Sequence, residues 1–365
     1  MGFTCGIVGL PNCGKSTVFN AITQAGADSG NYMFTASEPN FGVVQVTDSR
    51  LETISQLVPA KNTVYTTMEF VDVPGLVADS SKGEGMGNQF LSHIRQVSAI
   101  MHVVRCFDDP NVAHIHNKID PIADIEIVNT ELIFADLDNL QKRKLKIEKL
   151  AKSGDKEGRF QFEILHRMID HLENEKPLRF MTFETEAELN FLRIVQPLTT
   201  KPVLYLCNTG DPSETDSNIV KSVTEFALKE SSSTVSLAGR LEAEIMDIKE
   251  EEERHIFMEE LGLRESGLDR VVQAGYDLLD LITFFTVGGK ENRAWTVRNG
   301  SKGPQAAGVI HSDFEKGFIR AKVYRYEDLM KLKTEQAIKE AGLLRMEGKD
   351  YTIQDGDIIE FLFNV

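Results

Sequence analysis

The chain is poor in cysteine. Its 365 residues carry four, Cys5, Cys13, Cys106 and Cys207, too scattered for the paired spacing of a zinc or dithiol motif. Reduced thiols in a cytoplasm are therefore the expectation. No apolar run is long enough to span a bilayer, so no membrane partner is expected. Met1-Gly2-Phe3-Thr4-Cys5 lacks the basic start and cleavage site of an export signal. Gly6 stands where a myristoylation signal needs serine or threonine. A bulk positive charge is missing too. The formal net charge is -16, which argues against DNA or other nucleic acid being held by overall charge. Internal repeats and low-complexity tracts are absent.

A hydrophobic share of 41% is enough for real cores, and the length allows two or three domains. Apolar runs at Cys5–Gly9, Met68–Val73, Ala99–Phe107 and Pro202–Cys207 read as strands, with a helix from Ser16 to Gln24. Such alternation predicts an α/β fold with a mainly parallel sheet. Between the third and fourth strands, Ile133, Leu137, Leu140 and Ile147 form one helical stripe. Phe162, Leu165, Ile169 and Leu172 form a second. The turn Ser153-Gly154-Asp155 between them makes an inserted helical coiled-coil hairpin over 126–199. Its tip is basic: Lys142, Arg143, Lys144, Lys146, Lys149, Lys152, Lys156 and Arg159 outnumber Glu148, Asp155 and Glu157. Strand-like Thr283–Val287 and Arg293–Val297 flank Gly288-Gly289, and Ile358–Phe363 closes the chain. The domains read as 1–125 with 200–277 for nucleotide binding, 126–199 for the hairpin, and 278–365 for a small α+β domain.

Chemistry concentrates in Gly9-Leu10-Pro11-Asn12-Cys13-Gly14-Lys15-Ser16, a complete phosphate-binding loop between strand and helix. Its glycines permit a tight turn, successive N–H groups point inward, and the helix offers its positive end. Asn12, Cys13, Gly14, Lys15, Ser16 and Thr17 are the expected phosphate-side contacts. Lys15 reaches the β- and γ-phosphates, and the Ser16 hydroxyl is a Mg²⁺ ligand. Asp72-Val73-Pro74-Gly75 is the second element: Asp72 serves the Mg²⁺ site and the Gly75 amide meets the γ-phosphate. Lys82–Gly87 forms a glycine-rich loop beyond it. Asn208-Thr209-Gly210-Asp211 follows the fourth strand, where a GTPase places its base-reading NKxD. Thr209 replaces the lysine, and Ser236 is a further base-side candidate. Cys13, at a helix N-terminus, has two readings: a thiol of lowered pKa that reacts with alkylating agents, or a small residue that merely fits the loop.

At these residues the chain resembles the YchF/Obg-like ATPase family. The carrying segments are GIVGLPNCGKST, NYMFTASEPN, FVDVPGLVADSSKGEGMGNQFL, HVVRCF, DIEIVNTEL, RAWTV, PQAAGVIHSDFEKGFIRA and EGKDYTIQDGDIIEFLFNV. The resemblance implies a P-loop GTPase-like core, an inserted helical hairpin and a C-terminal β-grasp (TGS) domain. It also implies ATP preferred over GTP, association with ribosomes, and a role tuning translation or stress responses. The family has threonine where Ala36 stands, leaving Thr35 as the switch ligand for Mg²⁺. It has alanine at Pro74 and glutamate at Asp211. An aspartate there is what guanine recognition uses, so GTP is the alternative nucleotide.

Lys15 and Gly75 are the expected catalytic contacts. Leu76 follows Gly75, where Ras-like enzymes keep a water-orienting glutamine, so unaided hydrolysis is expected to be slow. His93 reads as an ordinary helical residue. The basic hairpin tip and the TGS domain are the expected contacts to the ribosome and its RNA, and a monomer is expected. A metabolic kinase, or a scaffold in which hydrolysis is incidental, are the competing classes.

Overall fold

The structure is a computed structural model that describes residues 3–24, 40–73, 91, 93–114, 118–248, 250–263 and 265–364. Its first elements are β1 (Phe3–Val8), α1 (Lys15–Gln24), β2 (Asn40–Val46), α2 (Ser49–Leu57), β3 (Asn62–Val64), β4 (Thr66–Asp72) and β5 (Ala99–Arg105). The inserted helices α3 (Pro121–Lys152), α4 (Lys156–Glu173) and α5 (Glu186–Val195) follow. Then come β6 (Val203–Asn208), α6 (Asn218–Lys229), β7 (Ser233–Leu237), α7 (Gly239–Met246), α8 (Glu251–Glu260) and α9 (Gly267–Leu278).

The first sheet has the order β2-β4-β1-β5-β6-β7. β1 pairs with β5, β5 with β6, and β6 with β7, all parallel. Central β5 is buried along its whole length, as a parallel strand covered on both faces must be. That burial explains its unbroken apolar run.

The hairpin forms for local reasons. Asp120 caps α3 by accepting from Ala123 N, and Pro121 occupies the first helical position, where no amide donor is needed. At 32 residues, α3 is about 48 Å long. Gly154, with φ 89°, turns the chain, and Asp155 accepts from Gly158 N at 2.6 Å to start α4. Ile133 and Leu140 pack against Ile164, Leu165, Met168, Ile169 and Leu172. Buried Asp136 secures the return to the sheet by accepting from Leu198 N (2.9 Å), Thr199 N (2.8 Å) and Thr199 Oγ1 (2.7 Å).

The C-terminal elements are β8 (Leu281–Thr286), β9 (Glu291–Arg298), α10 (Gly303–Ile310), α11 (Ser312–Lys316), β10 (Phe318–Arg325), α12 (Tyr326–Leu332), α13 (Glu335–Glu340), β11 (Arg345–Glu347) and β12 (Asp357–Phe363). Their sheet runs β11-β10-β12-β8-β9-β3. β8 and β9 form an antiparallel hairpin across Gly288 and Gly289, both at positive φ, and β12 runs parallel to β8. This is the mixed sheet of a β-grasp.

The chain forms two compact units, one of Thr4–Gly42 with Glu69–Ala274, the other of Met1–Phe3, Val43–Met68 and Gly275–Val365. The second unit therefore takes in α2 and β3, which the sequence places with the nucleotide domain. β3 pairs parallel with β9. Leu51 and Ile54 pack with Phe285, Ala294, Leu329 and Ile338. Arg50 bridges Asp48 and Asp355 at 2.8 and 2.6 Å. Fully buried Asn292 donates to Val58 O at 2.7 Å.

Candidate nucleotide site

The loop between β1 and α1 depends on its two glycines. A side chain on Gly9 would come within 2.5 Å of Val103 O, and one on Gly14, at φ +91°, would collide with Asn208 Nδ2. Asn12 also takes positive φ, at 63°, and its Nδ2 donates to Ala113 O at 3.2 Å. Lys15 is half-buried, whereas Ser16 and Thr17 are exposed on the first turn of α1.

Asp72 ends β4 beside this loop. The register is set by Val73 N donating to Ile7 O at 3.1 Å. Ser16 Oγ donates to Asp72 Oδ2 at 3.2 Å, and Asp72 Oδ1 is buried with no hydrogen-bond partner among the described residues. Burial raises the Asp72 pKa above the ordinary carboxylate value, opposed by the charge of Lys15 and by the hydrogen bond from Ser16. A desolvated carboxylate with an unused oxygen, next to a serine hydroxyl, is a hard-oxygen donor set of the kind Mg²⁺ takes.

Asn208 ties the opposite side together. Its Nδ2 donates to Cys13 O at 3.0 Å, and its Oδ1 accepts from Gly239 N at 3.2 Å. One side chain thus spans the phosphate loop and the start of α7. Thr209 is buried, and its amide donates to Leu237 O at 2.9 Å. Asp211 is exposed and caps the short turn Pro212–Asp216. Ser236 lies within β7 in register with Cys207, and its carbonyl accepts from Arg270 at 2.8 Å. The backbone that reaches Asn208 is three residues further on, at Gly239.

The reactive-thiol reading of Cys13 is corrected. The side chain is buried, and burial pushes its pKa up to about 11, although the charge of Lys15 pulls the other way. Desolvation outweighs the favourable helix terminus.

Thr35, Ala36, Pro74, Gly75, Leu76 and the Lys82–Gly87 loop lie outside the described residues. His93 is half-buried in a short helical turn. The sequence reading passed over His114. Its Nε2 lies 3.0 Å from Asp124 Oδ2, and the preceding carbonyl is the one Asn12 holds. No local spacing in the sequence signals this link.

A glycine-dependent loop between a parallel strand and a helix, with a strand-end aspartate against its serine, defines a P-loop nucleotide-binding protein with a GTPase-type core. Comparison with known proteins narrows the class. A model described as "50S ribosome-binding GTPase" matches residues 4–144, and one described as "Protein of unknown function (DUF933)", YchF-GTPase_C, matches residues 281–364. The chain is 50% identical to the ribosome-binding ATPase YchF of Bacillus subtilis (strain 168), with 100% of both chains covered. Its identity to the ribosome-binding ATPase YchF of Escherichia coli O157:H7 is 49%, again with 100% of both covered. The solved structure of the Schizosaccharomyces pombe YchF GTPase superposes with a TM-score of 0.85 at 33% identity, covering 99% of this chain and 98% of that one. The chain belongs to the YchF family.

Proposed function

We propose that the chain binds ATP, hydrolyses it slowly with Mg²⁺, and associates with ribosomes to tune translation or stress responses. The observation that carries the nucleotide half is the contact of Ser16 Oγ with Asp72 Oδ2, beside a second Asp72 oxygen that has no partner among the described residues. The relatives named ribosome-binding ATPases support the ribosomal half.

In this reading the loop amides and Lys15 hold the phosphates, with Asn12, Cys13, Gly14 and Thr17 shaping the phosphate side. Ser16 and Asp72 would hold Mg²⁺, with Thr35 as third ligand and the Gly75 amide facing the γ-phosphate. The ion supplies neutralisation of charge on the phosphoryl oxygens. Asn208, Thr209, Asp211 and the β7 end near Ser236 surround the base. With leucine at position 76, no glutamine orients the attacking water, so the basal rate is low and a partner raises it. Dual use of GTP is the second reading, favoured by the carboxylate of Asp211.

The helices over 126–199 act as the ribosomal arm, and 278–365 as a TGS domain. Within the arm, Lys142 pairs with Asp138, Lys152 with Glu148, and Lys144 lies over the Phe162 ring. Lys146, Lys149, Lys156 and Arg159 are exposed without ion-pair partners among the described residues, and these are the cations offered to RNA phosphates. Single-turnover ATP hydrolysis with and without ribosomes tests the reading. Acceleration by ribosomes is expected, and identical rates would remove the ribosomal half.

A further inference from the structure

The aspartate at the guanine-reading position is already engaged. Asp211 Oδ1 accepts from Ser213 N at 2.8 Å and from Ser213 Oγ at 2.6 Å. Glu214 completes a reciprocal lock, its Oε2 accepting from Gly210 N at 2.8 Å and Asp211 N at 3.3 Å. Gly210 allows this closeness, since a side chain there would sit 3.2 Å from Glu214 Oε2. The bonds from Ser213 hold the Asp211 carboxyl below the usual carboxylate range.

Guanine recognition asks two things of a carboxylate. One oxygen must accept from the ring N–H and the other from the exocyclic amine, side by side. Here one of the two oxygens is saturated by Ser213, and the loop that carries the carboxylate is pinned from behind by Glu214. Adenine has no ring N–H at that position and makes no demand on the carboxylate. Guanine binding therefore requires the cap to open first, and adenine binding does not.

We propose that Ser213 and Glu214 are positioning residues that bias the base pocket against guanine by keeping Asp211 in its cap, so that the chain carries a latent GTP site. The inference rests on the nucleotide reading above. It concerns residues that touch Asp211, not the phosphate machinery.

The test is side-by-side titration of full-length protein with ATP and GTP in the presence of Mg²⁺. Ser213→Ala removes the hydroxyl half of the cap. GTP affinity is expected to rise about fivefold, the worth of one ordinary hydrogen bond, with ATP affinity unchanged. Adding Asp211→Asn to that variant should abolish the gain, and Ser213→Thr, which keeps the hydroxyl, should behave as the natural chain does. Unchanged GTP affinity in Ser213→Ala, or equal losses for both nucleotides, would overturn the gating role. Failure of the natural chain to bind either nucleotide would instead overturn the underlying nucleotide reading.

Discussion

Ser16 Oγ donates to Asp72 Oδ2 at 3.2 Å, joining the first turn of α1 to the end of β4 across 56 positions of sequence. The other oxygen of Asp72 is buried and has no partner among the described residues. The site thus stores an electrostatic cost that a cation would relieve.

Replacing Asp72 with asparagine separates stability from activity. Burial raises the Asp72 pKa, so the folded state binds this proton more tightly than the unfolded state does. Above the folded pKa the charge is a net cost to the fold. The Asp72→Asn protein without nucleotide should therefore melt higher than the natural chain at pH 7. Its Mg²⁺-dependent ATP hydrolysis should fall about 100-fold or more, the scale of losing one preorganised electrostatic contact. A lower melting temperature in thermal denaturation would contradict the assignment of Asp72 as a strained, desolvated carboxylate.

Cys13 should resist thiol reagents in the folded protein. With the thiol buried and its pKa near 11, only about one part in 10⁴ is thiolate at pH 7. Mass spectrometry after brief exposure to iodoacetamide should find Cys13 unmodified until the chain is denatured. Rapid labelling at pH 7 would show a more open loop.

Lys201 gives the fold a pH slope. Its Nζ donates to Arg95 O at 3.0 Å and Val97 O at 2.5 Å. Burial pulls its pKa down to about 8, with the Asp136 charge opposing. Between pH 8 and the unfolded value near 10.5, the unfolded chain holds the proton that the folded chain has released. Stability from this residue should therefore rise with pH across that window. Urea unfolding at pH 7.5 and 9.5 should show the gain, and Lys201→Met should reduce it.

Asn208 should matter to both fold and affinity. Asn208→Ala removes the bonds to Cys13 O and Gly239 N, leaving a buried carbonyl and a buried amide unsatisfied. A loss of about 2 kcal/mol is expected, on the scale of unsatisfied buried polar groups. Nucleotide binding should weaken with it. Equilibrium unfolding and ATP titration of the variant check both.

The α/β core was legible because its signals are local. A strand, eight consecutive loop residues and a helix identify the phosphate loop without any distant partner, and the hairpin announces itself by two stripes around Gly154. What was hidden depends on distance. β3 is only three residues long, too short for a pattern, and Arg50 meets Asp355 across 305 positions. Hence the allegiance of Val43–Met68 to the C-terminal unit could not be read from the sequence. Cys13 failed for another reason: its place at a helix terminus was visible, but the packing that desolvates its sulfur was not. The cap at Asp211 is readable in the sequence, since Asp-Pro-Ser-Glu is a capping-box pattern, but it overlaps the NxxD spacing of a base-reading loop.

Calorimetric titration of ATP into the full chain, with and without Mg²⁺, alongside Lys15→Ala and Asp72→Asn, decides whether the loop and Asp72 form a Mg²⁺-assisted ATP site. The natural chain should bind ATP tightly and more tightly with Mg²⁺, Lys15→Ala should lose binding, and Asp72→Asn should lose the Mg²⁺ effect alone. Equal ATP affinity in all three proteins, with or without the ion, would contradict that assignment.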